Sequence, residues 1–533
     1  MKIDSGIGRR GLLAGAVAVG GSVLLPARGA AAAPVRPAPV RPAPARGTGV
    51  TGRPPADLVS ADPYLHVLRR CTYGPTPAAL AEIRSLGTTA WLERQLAPAS
   101  IDDSACDAVV NRYPKLKLDV AGVRAGVAAG TIEQYGWDLM YQLGQTTLVR
   151  AAWSRRQLLE VMVDLWSNQL NVTNPFDGGW DNRHVYDRDV IRRHAFGRFA
   201  DMLKASATSP AMLAYLDNQS STKDHPNENY ARELMELHTV GVGAGYTEKD
   251  VQAAARLLTG LTVNWETGLY RYDASEHATG RVSVLGFTHA NATAAGGEAA
   301  AMAFLDHLAL HPATARQIAQ KLCVRFVADV PPPALVDRLA AVYLKSSSAI
   351  VPVLRALFAS AEFRGSAGAK IRRPLQDVIA TVRALGIGPD PAGTKGLENL
   401  YWLVAETGDA PMGWHPPNGY PDVAPAWASA AGTLSRWNAH ISLAAKWWPT
   451  ALGHQANLRT YLVPTLPATH GGLVDALAVR LLGIKLRRAH TAAITGFLGK
   501  TPTSALRATD AAVGWRFPYV VALVLDSPYF SFR

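Results

Sequence analysis

Cysteine is scarce in this sequence of 533 residues and occurs only at Cys71, Cys106 and Cys323. The three positions are far apart, and none belongs to a Cys-x-x-Cys pair or a Cys/His cluster. A disulfide framework or a structural zinc site would need such a spacing. Cys323 falls on the apolar stripe of a predicted helix, together with Ile318 and Leu322. We therefore interpret it as a buried thiol.

Charged residues are also few, at 18% of the chain, and no long apolar run follows residue 33. A transmembrane helix needs about 20 mostly apolar residues, so we expect no membrane span in the body of the chain. The signatures of several enzyme classes are missing as well: the P-loop, the GxGxxG turn, GxSxG, HExxH and CxxCH. Functions as nucleotide-binding proteins, α/β-hydrolases, zinc proteases or c-type cytochromes therefore have no support.

The formal net charge of +12 is unevenly distributed along the chain. Residues 1–56 contain eight Lys and Arg residues and one acid, Asp4, which is a net +7 and leaves +5 for all the rest. Nucleic-acid-binding domains concentrate basic residues on the binding face, whereas most of the positive charge of this chain lies before residue 57. We therefore expect no nucleic-acid partner.

Residues 1–33 have the features of a twin-arginine signal peptide. Arg9 and Arg10 precede an uncharged apolar stretch that ends at Leu25, and four alanines precede Pro34. A charged start, a short apolar centre and small residues at the cleavage site are typical of secretory signals, and the paired arginines are typical of the twin-arginine type. We expect export by the twin-arginine machinery to the extracellular space or cell envelope. A membrane anchor is the alternative, but the stretch falls short of the length that a bilayer requires.

The rest of the chain divides into a linker and a helical body. Residues 34–56 are rich in proline and arginine, and this composition favours an extended, disordered linker. From residue 57 onward, apolar residues recur at helical spacing in many segments, among them 77–96 and 148–170. Thr247 with Asp250 three residues later resembles a capping box, and Pro312 stands where the first residue of a helix belongs. The clearest strand-like interval, 261–287, predicts at most a small hairpin or sheet. The predicted fold class is mainly α, with residues 57–533 as a single large multi-helix domain.

The densest group of polar side chains on a predicted helix lies within residues 227–241. At about 100° per residue, Asn229, Glu233 and Glu236 share one narrow stripe, whereas His238 lies about 160° from Glu236. Two carboxylates three residues apart suit acid–base catalysis, or a divalent metal if a second element adds ligands. The alternatives are glutamates that face water or that pair with arginine in a structural role.

A tryptophan segment, residues 165–172, is the second candidate. Trp166 stands there beside the amide side chains of Asn168 and Gln169. An indole ring beside amides suits the binding of a sugar or a planar ligand, although a tryptophan within an apolar helix is more often part of the core.

Two predicted loops add further candidates. His277 lies in one of them, where a histidine can act as a general base but more often has a surface or hydrogen-bonding role. Trp414 lies in an aromatic, proline-stiffened loop, residues 413–422. That loop would form either one wall of a binding cleft or a cap over the core.

Further motifs occur along the chain: HVLRRCTYGPT (66–76), NYARELMELHTVG (229–241), GYTEKDV (245–251), LLTG (257–260), residues 277–286, HPATAR (311–316) and RWN (436–438). Taken in order with the tryptophan segment, these motifs resemble the domain of unknown function 1800 family of exported bacterial proteins. The resemblance extends from about residue 60 to the C-terminus and implies a helix-rich, exported protein, but it implies no mechanism because the activity of the family is not established. This chain departs from the pattern after Asn168, where Gln169 stands in place of the usual histidine. If that histidine serves as a base or ligand in the family, this chain lacks it, whereas the glutamine side chain still donates and accepts hydrogen bonds.

Two hypotheses for the function follow. The first is an exported hydrolase of envelope or extracellular carbohydrate, with Glu233, Glu236, His238 and His277 as catalytic residues. Its cofactor stays open, and a divalent metal is one option. The second is a non-catalytic envelope protein that binds polysaccharide or a protein partner through surfaces around Trp166, Trp180 and Trp414. The side chains expected to bind substrate are Trp166, Asn168, Gln169, Asn229, Arg232 and Trp414.

Overall fold

The computed structural model describes residues 56–533, so the predicted signal peptide and all but the last residue of the predicted linker lie outside the described residues. Within the described part, the chain forms 25 α-helices and four short strands. The fold is mainly α, as the apolar periodicity predicted. None of the helices in residues 56–533 combines the length and apolarity needed to span a bilayer.

The first ten helices show how side chains end or break a helix. Gly87 has φ +79° and divides the predicted helix 77–96 in two, because this backbone conformation suits glycine. The predicted helix 148–170 is interrupted after Trp153, where Asp103 accepts hydrogen bonds from Ser154 and the Arg155 backbone. The helices are α1 (Pro63–Cys71), α2 (Pro77–Leu86), α3 (Thr88–Leu96), α4 (Ser104–Val110), α5 (Val120–Ala128), α6 (Asp138–Trp153), α7 (Gln157–Gln169), α8 (Arg183–Val185), α9 (Phe199–Ala207) and α10 (Pro210–Tyr215).

The central region contains a helix pair and two hairpins. Helix α11 (Glu228–Glu233) continues as a π-helix (Leu234–His238), and α12 (Glu248–Leu258) follows it. Thr247 and Asp250 form the predicted capping box at the start of α12. The predicted small β region is confirmed as two separate antiparallel pairs, β1 (Leu261–Val263) with β2 (Tyr270–Tyr272) and β3 (Val282–Val284) with β4 (Phe287–His289).

The C-terminal region returns to helices. Pro312 occupies the first position of α14 as predicted, and the side chain of His311 caps the helix by accepting from the Ala313 backbone. The helices are α13 (Gly297–Ala309), α14 (Pro312–Phe326), α15 (Pro333–Lys345), α16 (Ile350–Phe358), α17 (Ala361–Arg364), α18 (Pro374–Ala384), α19 (Lys395–Ala405), α20 (Ala430–Ala444), α21 (Leu458–Leu462), α22 (His470–Leu482), α23 (Arg488–Phe497), α24 (Phe517–Leu525) and α25 (Pro528–Ser531).

One large hydrophobic core joins apolar side chains from Leu58 to Phe530, and a small second cluster surrounds Trp180. The three cysteines are free and buried, which confirms the interpretation of Cys323. Burial raises the pKa of Cys106 and of Cys323 to about 12, so both stay as neutral thiols.

Candidate functional site

The two predicted catalytic glutamates lie at the junction between α11 and its π-helical continuation. Asn227 starts the helix, because its side-chain oxygen accepts from the Tyr230 backbone at 3.0 Å. Glu233 is the last α-helical residue, and Glu236 lies within the π-helix. A π-helix deviates from the 100° spacing used for the sequence, and such segments are frequent at functional sites.

The surroundings of the two glutamates differ. Glu233 is half-buried and has neither a hydrogen-bond nor an ion-pair partner within residues 56–533. Burial, with the nearby charge of Glu236, raises the pKa of Glu233 above 4.5, and Arg232 acts in the opposite direction. Glu236 instead accepts a hydrogen bond from the hydroxyl of Tyr246. The pair therefore combines a carboxyl group that is easier to protonate with one that is oriented by a donor.

Arg232 is already engaged. Its guanidinium forms a two-pronged ion pair with Glu248, the first residue of α12. Asn229 is exposed, and its side chain makes no hydrogen bond in the described part of the chain. The structure thus places Asn229 in contact with solvent, whereas Arg232 links α11 to α12.

Gln169 supports the end of the glutamate-bearing helix. Its side-chain nitrogen donates to the backbone oxygens of Leu237 at 2.9 Å and His238 at 3.1 Å. The last carbonyl groups of a helix have no partner within the helix, and Gln317 supplies a second donor to Leu237 at 3.0 Å. Gln169 is 3% exposed, so its position is that of a residue that orients the helix.

His238 is buried, with 1% of its surface exposed. Its Nε2 atom has no hydrogen-bond partner among residues 56–533. Burial, with the positive charge of Lys321, lowers the pKa of His238 to about 4. The imidazole is therefore neutral near pH 7 and forms no hydrogen bond with either glutamate.

The tryptophan segment and the loop of Trp414 come together in the structure, although about 250 residues separate them in sequence. The Asn168 side-chain oxygen accepts from the Tyr420 backbone at 2.8 Å. Asn171 donates to the backbone oxygens of Trp414 at 2.9 Å and Pro416 at 2.8 Å. These two amides fix the loop against the end of α7.

The approach is so close that only glycine fits at position 419. Gly419 has φ +68°, and a Cβ atom there would lie 2.1 Å from the backbone oxygen of Asn168. Trp414 is partly exposed in this loop, and its indole nitrogen donates to Asn418 at 2.7 Å. Its ring contacts Tyr420 with 5.1 Å between centroids.

Trp166 and Trp180 are buried, whereas Trp414 is partly exposed. Trp166 is fully buried, packs against Phe199 and donates its indole hydrogen to the Ala195 backbone at 2.9 Å. Trp180 is 6% exposed and lies beneath the guanidinium of Arg124. Trp166 thus has no exposed face on which a sugar could stack, and it belongs to the core.

Tyr215, which the sequence did not single out, connects the glutamates with the loop. Its hydroxyl donates to the backbone oxygen of His415. Burial raises the pKa of Tyr215 to about 12; Asn171 opposes this shift, and the charge of Glu233 adds to it. Glu233, the tryptophan segment and the Trp414 loop therefore share one neighbourhood around Tyr215.

His277 lies at the opposite end of α12. Its Nδ1 is 2.9 Å from the Thr259 backbone oxygen, and its Nε2 is 2.9 Å from the side-chain oxygen of Asn291. Thr259 follows the last residue of α12, whereas Glu248 is the first. Eleven helical residues span about 16 Å, so His277 joins the hairpins to α12 at a distance from the contact between Arg232 and Glu248.

A buried network of charged residues contacts the Trp414 loop. Arg373 pairs with Asp409 at 2.6 Å and with Asp164 at 3.3 Å, and its guanidinium lies over the rings of Tyr420 and Trp427. Asp164 is on α7, four residues before Asn168, whose amide donates to its backbone oxygen at 2.7 Å. The network therefore links the tryptophan segment to the loop a second time.

Asp422, at the end of the loop, is surrounded by cations. It pairs with Lys370 and with Arg325, each at 3.3 Å, and Arg533 lies 3.7 Å away. Burial would raise the pKa of Asp422, but these cations outweigh it and hold that pKa well below its usual value. The partners of Asp422 are distant in sequence, so no local pattern predicted them.

A histidine between two carboxylates is a further feature that the sequence did not reveal. His440 on α20 contacts Asp377 of α18 through Nε2 at 2.9 Å and Asp526 through Nδ1 at 2.8 Å. All three residues line a cavity of about 510 Å³. Burial would lower the pKa of His440, but the two carboxylates raise it to about 9. Both ring nitrogens of His440 contact a carboxylate, so the protonated imidazole pairs with Asp377 and Asp526 and joins α20 to α18. The only sequence signal nearby is the RWN segment, which ends two residues before His440.

In the part of the chain that the structure describes, no group of three or more His, Cys, Asp or Glu side chains has an arrangement that could hold a metal ion. Glu233 and Glu236 would contribute two oxygen ligands to such an ion, and the remaining ligands would be water or substrate.

Comparison with curated proteins and with solved structures gives no match. Residues 66–532 match the model of one protein family, described as protein of unknown function, DUF1800. The match includes every residue of the site described above except Arg533. Because it covers most of the chain, we conclude that this protein belongs to the DUF1800 family.

Proposed function

We propose that this protein is exported by the twin-arginine pathway to the extracellular space or cell envelope and hydrolyses carbohydrate there, with Glu233 and Glu236 as acid and base. The observation that carries the proposal is the difference between the two carboxyl groups. Glu233 is half-buried, lacks a hydrogen-bond donor among residues 56–533 and has a raised pKa. Glu236 accepts from the Tyr246 hydroxyl.

Such a pair can divide the two proton transfers of glycoside hydrolysis. Glu233 in its protonated form donates its proton to the leaving oxygen as the bond from the anomeric carbon to that oxygen breaks. Glu236, as a carboxylate, accepts a proton from the water whose oxygen forms the new bond to the anomeric carbon. Tyr246 keeps the Glu236 carboxylate in place. The products are two sugars with free hydroxyl groups.

The proposed reaction is the inverting one, because water attacks the anomeric carbon directly and no glycosyl-enzyme forms. Inverting glycosidases hold their two carboxyl groups about 6.5–9.5 Å apart, which leaves room for that water. Glu233 and Glu236 leave the helix three residues apart, at the junction of α11 and its π-helical continuation. The hydroxyl of Tyr215 donates to the Trp414 loop, and aromatic rings of this kind stack on sugar rings.

The second candidate function, a non-catalytic glycan- or partner-binding protein, has its own supporting observation. Several side chains predicted to belong to the site form hydrogen bonds within the protein instead, among them Asn168, Gln169 and His277. The Asn168 and Asn171 amides fix the Trp414 loop, and a preformed aromatic loop suits binding without turnover.

Release of reducing ends from purified peptidoglycan and from soluble glycans, with and without EDTA, tests the proposal on the full-length chain. We expect Glu233→Gln and Glu236→Gln each to lower turnover by about 10²–10⁴-fold. Glu228→Gln is the matched control, because Glu228 begins the same helix and its side chain has no hydrogen bond within residues 56–533. Turnover by the two variants equal to that of the control would refute the catalytic pair. Glycan binding without any turnover would favour the second function.

A further inference from the structure

A groove of about 390 Å³ opens beside helices α6 and α19, and none of the residues predicted from the sequence lies in it. Tyr141 and Trp402 form its aromatic side, and Tyr113 lies at its base. This volume is within the range of small-molecule sites. We call it the aromatic groove.

The aromatic side chains of the groove hold one another in place. The rings of Tyr141 and Trp402 are 5.4 Å apart, and Tyr401 meets Trp402 edge-on at 5.1 Å. Tyr401 in turn packs against Gly144, where a Cβ atom would lie 2.5 Å from its ring. Trp402 is nevertheless 41% exposed. An exposed indole that its neighbours keep fixed is a ready surface for stacking.

The polar side chains of the groove are available to a ligand. Gln142 and Asp138 line it, and their side chains make no hydrogen bond with any residue of 56–533. Gln145 accepts from the Tyr113 hydroxyl at 2.9 Å through its oxygen. An amide both donates and accepts, and a carboxylate accepts. Sugar hydroxyl groups, which do both, are complementary to this set.

The cations of the groove do not favour a phosphate or another anion. Arg112 donates to the Gly393 backbone oxygen at 2.9 Å, and Lys115 donates to that of Thr131 at 2.8 Å. Asp138 and Glu398 add negative charge on the same lining. A neutral, hydroxyl-rich ligand therefore fits the charges better than an anionic one.

One loop connects the aromatic groove with the neighbourhood of Glu233. Trp137, next to Asp138, donates its indole hydrogen to Asp177 at 3.1 Å. The adjacent Phe176 meets Tyr215 edge-on at 5.6 Å, and Tyr215 lies close enough to Glu233 for the charge of that carboxylate to raise the pKa of the phenol. Trp137 and Tyr215 thus both contact the loop of Phe176 and Asp177.

We propose that the aromatic groove is a glycan-binding subsite, which holds a pyranose ring of a polysaccharide against Trp402 and Tyr141 while Gln142 and Asp138 bind its hydroxyl groups. The further step, that the same polysaccharide also reaches Glu233, rests on the proposed function and makes that polysaccharide the substrate. Binding in the groove itself requires no catalysis.

The test is co-sedimentation of the full-length chain with insoluble peptidoglycan, chitin and cellulose. We expect binding to at least one of them, and we expect Trp402→Ala to weaken it by about tenfold or more, the effect of losing one stacking ring. Trp515→Ala is the matched control, because Trp515 is 67% exposed and does not line the groove. Gln142→Ala removes a polar contact without disturbing the aromatic packing, so a loss of binding there supports the subsite even if Trp402→Ala is unstable.

The outcomes separate this proposal from the catalytic one. If the wild type binds none of the three polysaccharides, or if Trp402→Ala and Gln142→Ala both bind as well as Trp515→Ala, the subsite is refuted. Glu233→Gln should keep the binding and lose turnover. A Glu233→Gln variant that keeps both would refute the catalytic pair and leave the subsite intact.

Discussion

The side-chain nitrogen of Gln169 lies 2.9 Å from the backbone oxygen of Leu237, three residues beyond where the glutamate-bearing helix becomes a π-helix. The same nitrogen reaches the oxygen of His238 at 3.1 Å. Through these bonds an amide of the tryptophan segment sets the position of the helix that carries Glu233 and Glu236.

Replacing Gln169 should destabilise the protein. In Gln169→Ala the His238 carbonyl loses this donor, whereas the Leu237 carbonyl keeps Gln317; an unsatisfied buried group costs about 1–3 kcal/mol. Gln169→His, which can direct a single N–H at this point, should lose less. Urea unfolding followed by circular dichroism measures both. Equal stability of all three proteins would show that the contacts with Leu237 and His238 carry no weight.

Turnover should fall as the pH rises through the pKa of Glu233. That pKa is raised by burial and by Glu236, and the acid acts only in its protonated form. The basic limb of the pH–rate profile should therefore lie above pH 4.5, the ordinary value, and Asp in place of Glu233 should shift it. If activity instead rises with pH over that range, Glu233 acts as the base.

Stability should decrease between pH 6.5 and about 9 because of His440. Its pKa is raised from 6.5 to about 9 in the folded protein, so its contribution is fully present below pH 6.5 and is lost as the pH rises toward 9. A shift of this size corresponds to roughly 3 kcal/mol. Unfolding free energies at pH 6 and pH 9 measure the change, and His440→Gln should remove most of it. An unchanged slope in that variant would contradict the prediction.

Removing the charge of Asp422 should be strongly destabilising. Asp422→Asn leaves Lys370 and Arg325 with too few anions in a buried site, and breaking such a pair costs about 3–5 kcal/mol. Asp189→Asn is a useful comparison, because the ion pair of Asp189 with Arg188 is partly exposed and should contribute at most about 1 kcal/mol. Thermal unfolding of both variants provides the measurement.

Asn168→Ala should loosen the Trp414 loop. The variant removes the acceptor of the Tyr420 backbone N–H, so hydrogen exchange at residues 413–420 should accelerate. Asn418→Ala, which removes only the exposed acceptor of the Trp414 indole, serves as the control. Exchange that is equally slow in both variants would mean that the charge network around Arg373 suffices to fix the loop.

Local features of the fold were predictable from the sequence. The capping box of Thr247 and Asp250 and the position of Pro312 were confirmed, because each depends on residues within one helical turn. The break at Gly87 was missed, since apolar periodicity continues across a glycine whose positive φ is a property of the folded chain.

The candidate site was only partly predictable for a related reason. Glu233 and Glu236 are close in sequence, so periodicity placed them together. The contacts that orient them run from Gln169 to Leu237, and those of the loop run from Asn168 to Tyr420. Such pairings depend on tertiary packing, and nothing in a single sequence marks which distant partners meet. His440 and its two aspartates were missed for the same reason.

The three buried, unpaired thiols also have a practical consequence. Cys71, Cys106 and Cys323 lie on α1, α4 and α14, so they monitor separate parts of the core. A thiol-reactive dye should leave the native protein unlabelled and modify each cysteine only when its region opens. The order in which the three become labelled in increasing urea would therefore show which part of this helical body opens first, without any engineered probe.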